Sequence, residues 1–466
     1  LISIALLTAC AAGEAPTPAA TAAATAAPSP TPFPRPDGFV LDGFFDDWAG
    51  IPPLYVDAAG DAGASGVDFT EIYAAHNDTH LFLALPLGKN VNLQSESALH
   101  LTIQSGGDEI TFDFGERTGQ INGGTVTQAE IGLTSLPTVT ADRFEIAIPF
   151  PAAPGAELRL LIRDPGAGGD TASPDGQPLA YGWSQPLAGA PPLELARPPG
   201  ALRLLTWNVL TDNLFNQRDG EHFARVLQAL QPDIVLLQEV YVFSDQTALN
   251  RLTTWLGGMW YARQQGDLVT ISRYPFIEGW REGVTSPDSR LFPALLDMNG
   301  APLLIINAHL SCCDDDQNRQ HEVDSLIRFL REVNLPPGTP LILAGDLNLV
   351  GDPRQLDTLL TGNILDEIKY GADFPPDGDH TPLADLLPRH LLTPFAHTWR
   401  DPASQFQPGR LDYILYSDSL LNARGFVFDT SELPADLLAA LGIQAGDTAV
   451  SDHLPLVVDF VIVPQG

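Results

Sequence analysis

Hydrophobic and polar positions follow two textures along the chain. From residue 37 to residue 197, short apolar runs at 81–85, 101–103, 110–114, 144–148 and 158–162 are punctuated by Gly, Asp and Pro. That spacing predicts short strands of an all-β sandwich. From residue 198 the runs become apolar at successive positions: 202–209, 232–239, 268–275, 303–310 and 341–347. Such runs predict strands buried on both faces. Between them, 221–229 and 320–332 carry the helical period, with Val323, Leu326, Ile327 and Leu330 on one face. Two further strands are predicted at 410–416 and 451–458. The second texture is that of an α/β domain over 198–466.

The later strands share a feature. Each ends in a polar group: Asn208, Glu239, His309, Asp346 with Asn348, Asp412, and Asp452 with His453. Strand ends are where such sheets gather ligands. Asp346 and Asn348 are two residues apart, so an extended backbone points them the same way. A carboxylate beside a carboxamide holds a water and steadies an oxyanion. Any one of these residues is explained as a cap or an Asx turn; the set together is not.

Length and charge narrow the picture. With 466 residues the chain exceeds one ordinary core and predicts two domains plus extras. Acidic residues outnumber basic ones 58 to 24, for a formal charge of −34, and the only lysines are Lys89 and Lys369. This surface repels nucleic acid and anionic lipid at long range. It excludes a nucleic-acid-coating protein, but not an enzyme whose metal and arginines meet one phosphate. Residues 1–10 end in Leu7-Thr8-Ala9-Cys10, the remnant of a secretory signal. The stretch resembles the lipobox of bacterial lipoproteins, which implies a lipid on Cys10; the alternative is an ordinary signal peptide. Residues 11–36, almost wholly Ala, Thr, Pro and Ser, read as a tether reaching about 80 Å if extended. The expectation is a lipoprotein anchored outside the cytoplasm, on the cell surface or the periplasmic face.

Two resemblances follow. Leu41-Asp42-Gly43-Phe44-Phe45-Asp46-Asp47-Trp48, Asp68-Phe69-Thr70-Glu71-Ile72 and Asn77-Asp78-Thr79-His80-Leu81-Phe82-Leu83 resemble the β-sandwich of family 9 carbohydrate-binding modules. Carbohydrate is therefore a candidate partner, with Trp48 either stacking on a sugar or buried. Asp57, Asp61 and Asp68 are candidate Ca²⁺ ligands, set against ordinary solvated loop aspartates. In the second half, Thr206-Trp207-Asn208, Leu237-Gln238-Glu239, Ser272-Arg273-Tyr274-Pro275, Asn307-Ala308-His309-Leu310, Gly345-Asp346-Leu347-Asn348, Arg410-Leu411-Asp412-Tyr413-Ile414 and Ser451-Asp452-His453-Leu454-Pro455 look like the endonuclease/exonuclease/phosphatase (DNase I-like) superfamily. That resemblance implies a four-layer α/β sandwich with two packed mixed sheets, and Mg²⁺-dependent hydrolysis of a phosphoester, with Mn²⁺ the alternative ion. It implies Glu239, Asn208 and Asp452 as metal ligands. Asp346 would take a proton from the attacking water, with Asn348 fixing it. His453 would contact phosphoryl oxygens with Asp412 setting its tautomer, and His309 would bind the phosphate or protonate the leaving group.

Leu210 departs from the nuclease relatives that carry an acid there, which weakens a second-metal ligand. Adjacent Cys312 and Cys313 are either a strained disulfide or two free thiols. The function expected is that of an anchored phosphodiesterase, nuclease or sphingomyelinase-like. The competing class is a polysaccharide- or surface-binding lipoprotein with a secondary hydrolase domain. A Pro/Gly-rich stretch before Leu202 predicts separable domains.

Overall fold

The computed structural model describes residues 38–150, 152–280, 290–333, 335–336 and 338–462. Cys10 and the 11–36 tether lie outside the described residues. No helix among the described residues is long and apolar enough to cross a membrane.

The first lobe is a β-sandwich of two antiparallel sheets. One orders its strands Tyr55–Val56, Glu71–His76, His80–Val91, Ala141–Pro149, Thr134–Leu136. The other runs Thr171–Ala172, Glu157–Arg163, His100–Ser105, Asp108–Asp113, Thr118–Ile121, Gly124–Thr127, with Leu179–Gly182 also paired to Glu157–Arg163. Alternate residues point inward, as a half-buried strand requires. Leu158, Leu160 and Ile162 are buried while Arg159 and Arg163 face water. With Leu83, Leu101, Phe112, Phe144 and Ile146 they build one core from both sheets.

Trp48 is buried, not offered to a sugar. Its Nε1 donates to Glu145 Oε1 at 2.6 Å, and Asp42 N and Gly43 N donate to Glu145 Oε2 at 3.0 and 2.6 Å. Burial, with Asp47 and Asp42 nearby, holds this carboxyl well above the usual range despite those donors. The Asp42-Gly43…Trp48 motif is thus the chain turn that encloses Glu145.

The second lobe has two mixed sheets. The first orders Tyr261–Gln265, Leu268–Ser272, Ile234–Gln238, Leu202–Asn208, Leu456–Ile462, Leu420–Val427, Arg389–His390. The second orders Phe276–Gly279, Leu291–Asp297, Pro302–His309, Leu341–Asp346, Asp412–Tyr416, Ala384–Asp385. Leu202–Asn208 pairs parallel with Ile234–Gln238, and Pro302–His309 parallel with Leu341–Asp346. Helices Gly220–Leu230 and Asp245–Leu256 join a core with the first sheet. Asp316–Glu332 and Arg354–Thr361 join one with the second. Both faces of the central strands are therefore covered, which is why those runs carry no alternation. Where the two sheets meet, Gln238 Nε2 donates to Thr206 Oγ1 and Asn307 Oδ1, and Asn307 Nδ2 returns two bonds to the carbonyls of Leu237 and Val269. This buried network fixes the register of one sheet over the other, because any slip would orphan several polar atoms.

The lobes share a fourth apolar cluster, in which Leu41, Phe82, Leu136 and Ala147 pack with Phe395 and Ala396. All described residues belong to one compact unit.

Candidate active site

The strands converge at one end of the second lobe, and Asp346 is the hub. Leu341–Asp346 must lie tight against Pro302–His309 to deliver it. A Cβ on Gly345 would meet the Ala308 carbonyl oxygen at 1.9 Å, and Gly345 has φ +148°. Only glycine fits that approach. The Asp346 Oδ1 accepts from Asn348 N at 3.0 Å, an Asx turn, while the Asn348 carboxamide donates to the Leu310 carbonyl. Asn348 therefore fixes the aspartate through its backbone.

Asp346 Oδ2 faces two imidazoles. His453 Nε2 lies 3.5 Å away and His309 Nε2 3.7 Å away. Each ring is backed by an acid on its other nitrogen: Asp412 at 2.8 Å from His453 Nδ1, and Asp267 at 2.5 Å from His309 Nδ1. Burial pulls the His453 ring down, but the Asp412, Asp346 and Asp452 carboxylates outweigh it, and the ring is pushed up to about 10. His309 is likewise raised: burial opposes, while the Asp267 bond and the Asp346 charge prevail. Asp267 is lowered, its burial outweighed by His309. Asp346 itself is raised, chiefly by burial and by Asp412, against the pull of both histidines. The result is a carboxyl group held between two acid-backed imidazoles in a dry site, each ring favoured in its charged form by the carboxylates around it.

Asn208 links this hub to Glu239. Its Nδ2 donates to Asp346 Oδ2 and to Glu239 Oε1, each at 3.1 Å, and its Oδ1 accepts from Leu210 N. Glu239 Oε2 accepts from Thr211 N and Oγ1. The backbone here is strained. Leu210, Thr211, Asp212, Glu239 and Asn348 all have positive φ, five of thirteen such non-glycine residues among those described. Non-glycine residues avoid this region, so its concentration beside the hub marks a site held by its surroundings.

Asp452 stands behind His453. Its Oδ2 accepts from Trp399 Nε1 at 2.9 Å, and its Oδ1 is buried without a partner, as is Asp412 Oδ1. The donor set suits a hard divalent cation. Asn208 Nδ2 sits between the Glu239 and Asp346 carboxylate oxygens, a place where positive charge is called for. Asp346, Asp412 and His453 offer donor atoms within 4.8 Å of one another. Glu239 joins no such carboxylate–imidazole group among the described residues; its oxygens accept from Asn208 Nδ2 and from Thr211.

Three residues escape sequence reading. Asp267 sits in the Gly266-Asp267 hairpin turn and also accepts from Glu239 N at 3.2 Å, so one carboxylate ties His309 to the Glu239 backbone. Tyr241 is exposed at the rim; its hydroxyl is pushed up to about 12 by desolvation, with the Asp267 and Glu239 charges adding. Arg290 lends positive charge to the same corner, opposing the carboxylates at Tyr241 and the raised state of His309. A signal for Asp267 existed: a histidine in such a role needs an acid on its second nitrogen. Cys312 and Cys313 are free thiols, and the Cys312 thiol is pushed up to about 11 by burial and its neighbour. In the sandwich, the acidic group whose donors lie close together is Asp61, Asp68 and Asp170, not Asp57.

A two-sheet α/β lobe gathers acid-backed histidines around a strand-end aspartate, a constellation suited to acid–base chemistry. The Endonuclease/Exonuclease/phosphatase family is matched over residues 205–453, more than half of the chain, and the chain belongs to it. Its members are phosphoester hydrolases that depend on divalent metal. Similar solved structures include D. rerio TDP2 complexed with single-strand DNA product (17% identity, 56% of this chain and 99% of that one, TM-score 0.38). The human Nocturnin catalytic domain with bound sulfate anion is 20% identical over 57% of this chain and 97% of its own, with TM-score 0.37. Beta toxin from Staphylococcus aureus is 18% identical over 55% and 99%, with TM-score 0.37. No curated protein matches the chain.

Proposed function

We propose that this chain is a Mg²⁺-dependent phosphodiesterase tethered outside the cytoplasm. The observation that supports this most is Asp346 Oδ2, which faces His453 and His309 and accepts from Asn208, the residue that joins it to Glu239. Glu239 and Asn208 would hold the cation, with Asp452 a further ligand in reach of His453. The bound cation supplies charge neutralisation at the phosphoryl group. The chain's residues do the rest. Asp346 orients a water and accepts its proton. His453, kept charged by Asp412, donates to a phosphoryl oxygen. His309, favoured in its charged form by Asp267, donates to a second oxygen or to the departing one. The bond from phosphorus to the leaving oxygen breaks as the water oxygen bonds to phosphorus. The overall charge and the pair of lysines favour a small or neutral-headed phosphodiester over a polynucleotide. Anchoring through Cys10 belongs to the same proposal and rests on Leu7-Thr8-Ala9-Cys10.

The test uses purified protein with bis-p-nitrophenyl phosphate, sphingomyelin and DNA, titrated with Mg²⁺. Wild type should hydrolyse the small diester only with metal. Glu239→Gln should raise the Mg²⁺ midpoint and lower kcat by roughly 10²-fold, the scale of losing one charge-stabilising group. A folded Glu239→Gln protein with wild-type kcat and Mg²⁺ midpoint would overturn the assignment. In cells, Cys10→Ser should leave the membrane fraction; its retention there would remove the anchor from the proposal.

A further inference from the structure

We propose that the β-sandwich is a working part of the catalytic site, and that Gln407 is the positioning residue through which it acts. The inference rests on the phosphodiesterase reading for its kinetic readout. The segment from Thr398 to Leu411 has two sides. On one side it holds the catalytic groups. Thr398 Oγ1 accepts from Leu411 N and Asp412 N at 3.0 and 2.8 Å, and Thr398 O accepts from Leu454 N. Trp399 Nε1 fixes Asp452, Arg400 N donates to the Asp452 carbonyl, and Trp399 bridges His453. Gly409 closes the loop by exchanging bonds with Trp399 at 2.9 and 3.0 Å.

The other side is held by the sandwich. Gln407 N donates to Gln94 Oε1 at 2.9 Å, its Nε2 donates to Gln128 Oε1, and its Oε1 accepts from Ser135 Oγ. Gln128, Ser135 and Gln407 are each no more than 1% exposed. Gln128 is itself fully used: its Nε2 donates to the Asp113 and Thr118 carbonyls, and the Thr127–Glu130 capping box fixes the turn that carries it. Arg410 N donates to Thr138 Oγ1 at 2.9 Å, two residues before Asp412. The loop after Asn348 is gripped the same way: Asn92 Nδ2 donates to the Val350 carbonyl and Thr140 N to that of Gly351. The sandwich therefore bonds both loops adjoining the hub. A buried polar network specifies one geometry because any other leaves dry donors unpaired.

If this network were only glue between lobes, its loss would lower stability without a selective effect on turnover. Positioning predicts otherwise, since a small misplacement far from the chemistry costs up to about 10²-fold. In the full chain, Gln128→Ala and Thr138→Val should each lower kcat for bis-p-nitrophenyl phosphate by at least ~tenfold, with KM changed by less than about threefold. Their Mg²⁺ midpoints should move less than that of Glu239→Gln, because Glu239 and Asn208 end strands of the other sheet and this loop holds only Asp452 of the proposed ligands. Hydrogen exchange should rise within 398–411. Leu160→Ala, in the sandwich core away from this loop, should lower Tm and leave kcat alone. Loss of kcat that merely tracks Tm across all three variants, or wild-type kcat in both network variants, would overturn the proposal. If wild type hydrolyses nothing, the phosphodiesterase reading fails, and exchange in 398–411 still decides: faster exchange in Gln128→Ala supports positioning, unchanged exchange overturns it.

Discussion

Asp412 and Asp267 do the same local job by different means. Each accepts from the Nδ1 of a histidine whose Nε2 faces Asp346. Asp267 also accepts from Glu239 N, and Asp412 does not touch Glu239. Their amide variants should therefore separate. Asp412→Asn removes a charge that keeps His453 protonated, so the alkaline limb of the pH–rate profile should move to lower pH and kcat fall by about 10²-fold, with the Mg²⁺ midpoint unchanged. Asp267→Asn should lower kcat and also raise the Mg²⁺ midpoint. Steady-state kinetics across pH and Mg²⁺ would check both; an Asp267→Asn enzyme indistinguishable from wild type would show that His309 needs no acid. Strand-end residues such as Glu239, His309 and Asp346 were legible because an apolar run announces each one. Asp267 was not, because Gly-Asp between two short strands reads as an ordinary hairpin turn. Its partner lies 42 residues onward in the other sheet.

Among elements, the legible ones were those whose burial is uniform. The runs ending at Asn208, Gln238 and Asp346 are buried throughout their strands. Leu291–Asp297 was illegible because Pro293 interrupts it. The proline is tolerated because its nitrogen and carbonyl face the side of the edge strand Phe276–Gly279, which ends opposite Ala294, so no strand residue there calls for the missing N–H. Leu420–Val427 was missed for another reason: several of its residues reach the surface, which removes the apolar run. Gly345 tests the close parallel approach that brings Asp346 to the hub. Gly345→Ala places a methyl group on the Ala308 carbonyl. It should destabilise the fold by about 2–4 kcal/mol and abolish activity even where folded protein remains. Urea denaturation with parallel assays would check this, and a neutral substitution would mean that the two strands separate freely.

At the scale of the molecule, the buried charges give stability a pH dependence. The folded His453 ring titrates at about 10, against roughly 6.5 in an unfolded chain. Its contribution is complete below the unfolded value and is lost as pH rises through the folded one. In EDTA, the Tm advantage of wild type over Asp412→Asn should therefore shrink between about pH 6.5 and 10, and calorimetry would read it. A constant difference would mean that the ring is not charged in the folded state. The two-lobe architecture was legible from the change of texture between alternating short strands and uniformly apolar ones. The bond between lobes was not: Gln94, Gln128, Ser135 and Thr138 are isolated polar residues in strands, turns and one short helix, without any period to reveal them.

That seam also governs how such a chain is inherited. The Pro- and Gly-rich stretch before Leu202 looks like a natural crossover point for recombination. A crossover there would carry Phe395 and Gln407 away from the surfaces that cover them. The new combination would have to reinvent a matching carboxamide and hydroxyl at the same places. Exchange of either lobe for an unrelated one would therefore leave Gln407 and Phe395 without the partners that now cover them.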